Sequence, residues 1–208
     1  MSNTYPTLLF GFQSVWTLIK ISGGVFAAGF LLHHFSGFLR VQISSLLGDK
    51  GFNVLFGIGI VMHEISHALM AFLFLHEIID IKFFDLKAKG GTHGHVISRA
   101  RNVPMLLQIW QKMGELFIGI APLIIGPLIC AAVFYFLIPG GKTFVHNPRF
   151  LNFPAFTWKL ALWFYVTLAI FSQMELSDAD LKGTWKGYAW LVTVTFGLSL
   201  LYYKLKHF

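Results

Sequence analysis

The sequence predicts an α-helical polytopic membrane protein with about five transmembrane helices and a small β-hairpin in the loop after the second. Three observations carry that expectation. Of 208 residues, 56% are hydrophobic and only 12% charged, with a mean hydropathy of +0.68, whereas a soluble domain is about 45–50% apolar and about 25% charged. Apolar runs near the ~20 residues needed to cross a bilayer recur along the chain. Trp158, Trp163, Trp185, Trp190, Tyr202 and Tyr203 fall near the ends of such runs, where amphipathic rings favour the membrane–water interface. A soluble enzyme, a secreted disulfide scaffold and a disordered tail are excluded together. The one cysteine, Cys130, cannot pair within the chain and sits in an apolar run between Ile129 and Ala131. With no internal repeat or low-complexity stretch, residues 1–208 read as a single integral membrane domain.

The first span is expected from about Leu8 to Leu32, with Lys20 as its one charge. From Phe35 to Leu47, Arg40 and Gln42 alternate with Phe38, Leu39, Val41, Ile43 and Leu46, which suits an amphipathic helix lying along the interface. The second span, about Phe52 to Leu75, holds His63, Glu64 and His67. His76 to Asn102 is the longest polar connection. In it Ile78 to Phe84 is β-prone, Lys89-Gly90-Gly91-Thr92 supplies turn chemistry and Gly94 to Ser98 forms a return strand. The third span, about Leu116 to Ile138, contains Pro122 and Pro127; Gly140-Gly141 and Asn147-Pro148 mark a further loop. The fourth runs from about Phe156 to Leu176 and the fifth from about Tyr188 to Tyr203. Five spans place the termini on opposite sides of the bilayer.

The net charge is +7, from 16 Lys+Arg against 9 Asp+Glu. These cations stand mostly between or beside apolar runs, as expected for loops near anionic lipid headgroups. Nucleic acid is not an expected partner, because no basic helix or aromatic-basic platform is present. Basic residues divide almost evenly between the two sides, so the positive-inside rule does not orient the chain. Met1 to Ile19 has no Lys or Arg, and no cleavable signal peptide is expected.

The chemistry concentrates at His63-Glu64-Ile65-Ser66-His67. On a helix, residues i and i+4 share one face, so both imidazoles can reach a single metal ion. Glu64, next to the first histidine, can take a proton from water activated by that ion. The motif lies between Ile58–Met62 and Ala68–Phe72, in the middle of an apolar span, where each ionisable group costs roughly 2–3 kcal/mol or more and marks function. Two histidines leave a zinc site short of a protein ligand. Glu175, Asp178 and Asp180 are the candidates: the second and fourth spans run in the same direction, so the segment after the fourth reaches the same side. His67 lies well below the end of its span, so this acidic segment must dip inward or the fourth helix must unwind early. His93-x-His95 reads as surface or capping groups and His33-His34 as interfacial; His76, His146 and His207 have no partner pattern.

Residues 52 to 183 resemble the site-2 protease family of intramembrane zinc metalloproteases. That family carries HExxH in one membrane helix and, two helices later, an aspartate ligand in an Asn-x-x-Pro-x4-Asp-Gly-like motif. The resemblance implies that His63 and His67 bind Zn2+, that Glu64 is the catalytic base and that Asp180 is the third ligand. Ser172 stands where the family has Asn, Glu175 where it has Pro, and Leu181 where it has Gly. Gly126-Pro127 is similar to a Gly-Pro element in the family's intervening helix. The resemblance further implies a cell (inner) membrane location with the active site towards the cytosol. It also implies a membrane-protein or peptide substrate, held in extended form beside the 76–102 hairpin. The alternative is a non-proteolytic membrane scaffold or adaptor that retains a metal site.

Overall fold

A computed structural model describes residues 4–84, 94–149 and 153–207. Helix α1 (Thr4–Leu55) leads into α2 (Gly57–Leu73), strands β1 (His76–Lys82) and β2 (His95–Ala100), and helices α3 (Met105–Gly119) and α4 (Ala121–Leu137). Helices α5 (Gly141–His146), α6 (Trp158–Phe171) and α7 (Asp178–Lys206) complete the chain. The protein is therefore mostly helical with one small antiparallel sheet.

The apolar runs fold as helices, but not as five matched spans. Helix α1 does not stop near Leu32. It continues through the segment expected to lie along the interface and breaks at Gly48, whose φ of 70° suits a residue without Cβ. Its 52 residues rise roughly 78 Å, more than twice the ~30 Å hydrocarbon thickness of a bilayer. Residues Pro6–Leu55, kinked at Gly48, are the one single helix long and apolar enough to cross a membrane among the described residues, and none of its most apolar window is buried in the protein. Helices α2 and α6 are apolar but have only 17 and 14 residues. The expected third span, about Leu116 to Ile138, corresponds to α4 with the last turn of α3, and these two helices meet at 63°. The break follows from close packing and from proline. A Cβ on Gly119 would lie 2.2 Å from Thr184 Oγ1 and 2.5 Å from the Asp180 carbonyl, so α3 ends hard against α7. Pro122 then opens α4, in a first turn that lacks hydrogen-bond acceptors for N–H groups anyway. The fifth span begins ten residues earlier than expected, at Asp178 instead of Tyr188.

The hairpin forms close to where the sequence places it. Its register pairs His76 with Ala100 and Lys82 with His95, with a bulge between Ile78 and Asp80; the Lys89–Thr92 turn lies outside the described residues. Helix α7 packs along α3 and α1, while α2 packs against α4, α6 and the sheet. The interior is a chain of small clusters: Phe52, Phe56 and Ala169; Cys130, Ile170 and Met174; Phe134, Ile138 and Leu160. Around them stands an apolar exterior that includes Phe12, Trp16, Phe30, Leu31, Phe72 and Phe136, each more than half exposed. So many exposed large apolar side chains need a lipid or protein neighbour.

Helix α3 meets α7 at Gly187, where a Cβ would lie 2.0 Å from the Leu116 backbone nitrogen. Gly187→Leu should separate the two helices at a cost of about 2 kcal/mol or more. Thermal unfolding in detergent should show a midpoint lowered by roughly 4–8 °C; an unchanged midpoint would contradict this packing.

Candidate metal centre

Helix α2 carries His63 and His67 on one face, with ring centroids 4.8 Å apart. Each ring is tied down through Nδ1. His63 donates to the Gln173 carbonyl at 2.7 Å, and His67 donates to the Ile118 carbonyl at 2.7 Å. These acceptors assign the Nδ1–H tautomer to both rings. The two Nε2 lone pairs then face each other at 3.1 Å. Lone pairs set this close repel one another and favour a cation between them.

Both carbonyls come from places where a helix has stopped. Ile118 is in the last turn of α3, beside the break before α4. Gln173 follows α6, which ends at Phe171, short of the expected Leu176. Residues 172–177 then run without helix, and the early unwinding demanded by the depth of His67 is what the chain does. The Ser172 carbonyl, also released there, accepts from Ser36 of α1 at 2.6 Å.

The unwound segment ends in a capping box that prepares Asp180. Ser177 is the N-cap of α7; its hydroxyl accepts from the Asp180 N–H, while its own N–H and hydroxyl donate to Asp180 Oδ2 at 2.9 and 2.6 Å. Oδ1 is left facing His67 Nε2 at 3.6 Å. Ligand atoms of His63, His67 and Asp180 all lie within 4.8 Å of one another. A tetrahedral zinc with bonds of about 2.0–2.1 Å separates its ligand atoms by about 3.3 Å, and the two distances of 3.1 and 3.6 Å bracket that value. The cluster fits a metal ion by both spacing and donor type.

Of the three carboxylates that the sequence leaves open, the structure brings only Asp180 to the histidines. Glu175 is exposed and lies 3.9 Å from Arg40 of α1. Asp178 is exposed in the first turn of α7. His93 lies outside the described residues. His34 packs at a tilt against Phe30, His146 bonds the Lys142 carbonyl, and His76 is buried against the Gln111 carbonyl at 3.2 Å.

Glu64 is 7% exposed and points into a cavity of about 770 Å³, shared with both histidines and Asp180. His33 and Arg40 of α1 form a wall of this cavity that was not anticipated, while Gly94 to Ile97 at the start of β2, in the hairpin expected beside the cleft, form another. Gly94 is pressed on the side chain of Glu64: a Cβ there would meet Glu64 Cγ at 2.7 Å and Oε1 at 3.0 Å. The Ser177-x-x-Asp180 capping pattern is a readable sequence signal for this helix start, whereas the carbonyl partners and the Gly94 contact have none. No family model, curated protein or solved structure matches the chain.

Purified protein equilibrated with zinc should bind about one ion per chain. Replacing His67 or Asp180 by Ala should lower zinc affinity by at least ~10-fold, while Glu175→Gln and Asp178→Asn leave it nearly unchanged. Elemental analysis after dialysis reads this; loss of zinc only on replacement of Glu175 would refute the ligand assignment.

Proposed function

We propose that this chain is a membrane-embedded zinc metalloprotease, similar to the site-2 protease family, that hydrolyses peptide bonds within or beside the bilayer. The observation that carries the reading is the juxtaposition of two histidine Nε2 lone pairs, the free Oδ1 of Asp180 and the Glu64 carboxyl in one cavity. The apolar exterior of the helices and the depth of the motif within the apolar α2 support a bilayer as its medium. Short helices such as α2 and α6 suit a polytopic arrangement in which unwound segments line a cavity instead of touching lipid.

His63, His67 and Asp180 would hold the zinc. When bound, zinc supplies a Lewis acid that polarises the scissile carbonyl and makes water a nucleophile near neutral pH. Glu64 accepts a proton from the attacking water as its oxygen bonds to the carbonyl carbon. The same carboxyl then returns that proton to the leaving nitrogen as the C–N bond breaks. A helical substrate hides its carbonyls in its own hydrogen bonds, so the scissile segment must unwind first. The backbone of β2, on the cavity wall, offers an edge against which an extended peptide can pair. By the family resemblance, the cavity opens towards the cytosol at the cell membrane.

Glu64→Gln should keep bound zinc and lower the rate of cleavage by roughly 10²–10⁴-fold. Cleavage of fluorescein-labelled casein in detergent micelles, measured beside zinc content, provides the check. Full activity in the zinc-loaded Glu64→Gln protein would overturn the mechanism.

A further inference from the structure

The hairpin brings a second polar pair to the same cavity. His95 opens β2 immediately after Gly94, the residue seated on Glu64, and lines the cavity with the metal cluster. Its Nε2–H donates to Asp80 Oδ2 across the two strands at 2.8 Å. The two residues are diagonal neighbours on one face of the sheet, since Lys82 is opposite His95 and Asp80 is opposite Ile97. The bond to His95 holds the Asp80 carboxyl below the usual carboxylate range. An imidazole bound to a carboxylate through Nε2 has a fixed orientation, and Nδ1 is its remaining polar atom. In the protonated ring both nitrogens carry hydrogens, and Nδ1 has one it can donate.

We infer that His95, oriented by Asp80, is a catalytic residue that donates a hydrogen bond from Nδ1 to the oxygen of the scissile carbonyl. This rests on the proteolytic reading above. As water adds to the carbonyl carbon, the C=O electron pair moves onto that oxygen and its charge grows. A donor already in place stabilises the growing charge without reorganising, and no proton changes hands. The placement suits the task. Glu64 and Gly94 are in contact, so the adjacent His95 stands beside the base, while Asp80 on β1 stays out of the cavity lining. The charged groups around the imidazole are Asp80 and Lys82 on β1 and Glu64 on α2. Arg40, Glu175 and Asp178 stand on the other cavity walls.

The roles separate in steady-state kinetics of casein cleavage by the zinc-loaded, full-length protein. His95→Ala should lower kcat by roughly 10²-fold with little change in KM and none in zinc content. Asp80→Asn, at an exposed position, should lower kcat by roughly 10-fold with KM and zinc content unchanged, because the ring loses the partner that orients it. His95→Gln, which keeps a side-chain donor, should recover part of the kcat lost in His95→Ala. An unchanged kcat in both His95→Ala and Asp80→Asn would overturn the inference while leaving the protease intact. Absence of cleavage by the unsubstituted, zinc-loaded protein would instead overturn the proteolytic reading and this inference with it.

Discussion

Two imidazole N–H groups donating to two backbone carbonyls fix the geometry on which the rest of the site depends. A buried imidazole N–H left without an acceptor costs about 1–3 kcal/mol. The carbonyls of Ile118 and Gln173 meet that demand because α3 and α6 end beside α2. Each interaction satisfies two groups at once, the ring N–H and a backbone oxygen that the helix end has left open. The result is one tautomer for both rings and two lone pairs aimed at a common point. Lengthening α6 by a single turn would remove the His63 acceptor and carry the acidic segment away from the cluster.

The same logic extends to Asp180. A free aspartate would place its two oxygens by chance, but the capping box with Ser177 commits Oδ2 and leaves Oδ1 towards His67. The cap is itself held in depth by the α3–α7 seam, where Gly119 admits the Asp180 carbonyl and Thr184 at a distance no side chain would allow. Helix ends, a capping serine and a packing glycine thus act together. Each would be an ordinary structural device elsewhere, and here they converge on three ligand atoms.

Much of this was legible in the residues themselves. The apolar composition announced a helical chain with an apolar exterior, and the i, i+4 spacing of His63 and His67 announced the shared face. The hairpin was visible in the β-prone Ile78–Phe84 run followed by turn residues. What the sequence hid was where apolar runs break. Hydropathy sums over a window and is blind to a single close approach, so it did not find α3 as a helix of its own and ran the fourth span on to Leu176, past the end of α6 at Phe171. It also read Phe35–Leu47 as a separate interfacial helix, because the break that matters in α1 is a backbone angle at Gly48. The choice among Glu175, Asp178 and Asp180 stayed open for a related reason. All three are acidic within six positions, and only the start of α7 at Asp178 decides which one turns inward.

X-ray absorption at the zinc edge, on protein purified in detergent, reads the central claim most directly. The account predicts one zinc bound by two imidazole nitrogens at about 2.0–2.1 Å and a carboxylate oxygen at about 2.0–2.2 Å, with an oxygen from solvent completing a four-coordinate shell. A spectrum without imidazole scattering, or one whose oxygen shell is unaltered when Asp180 is replaced by Ala, would contradict it.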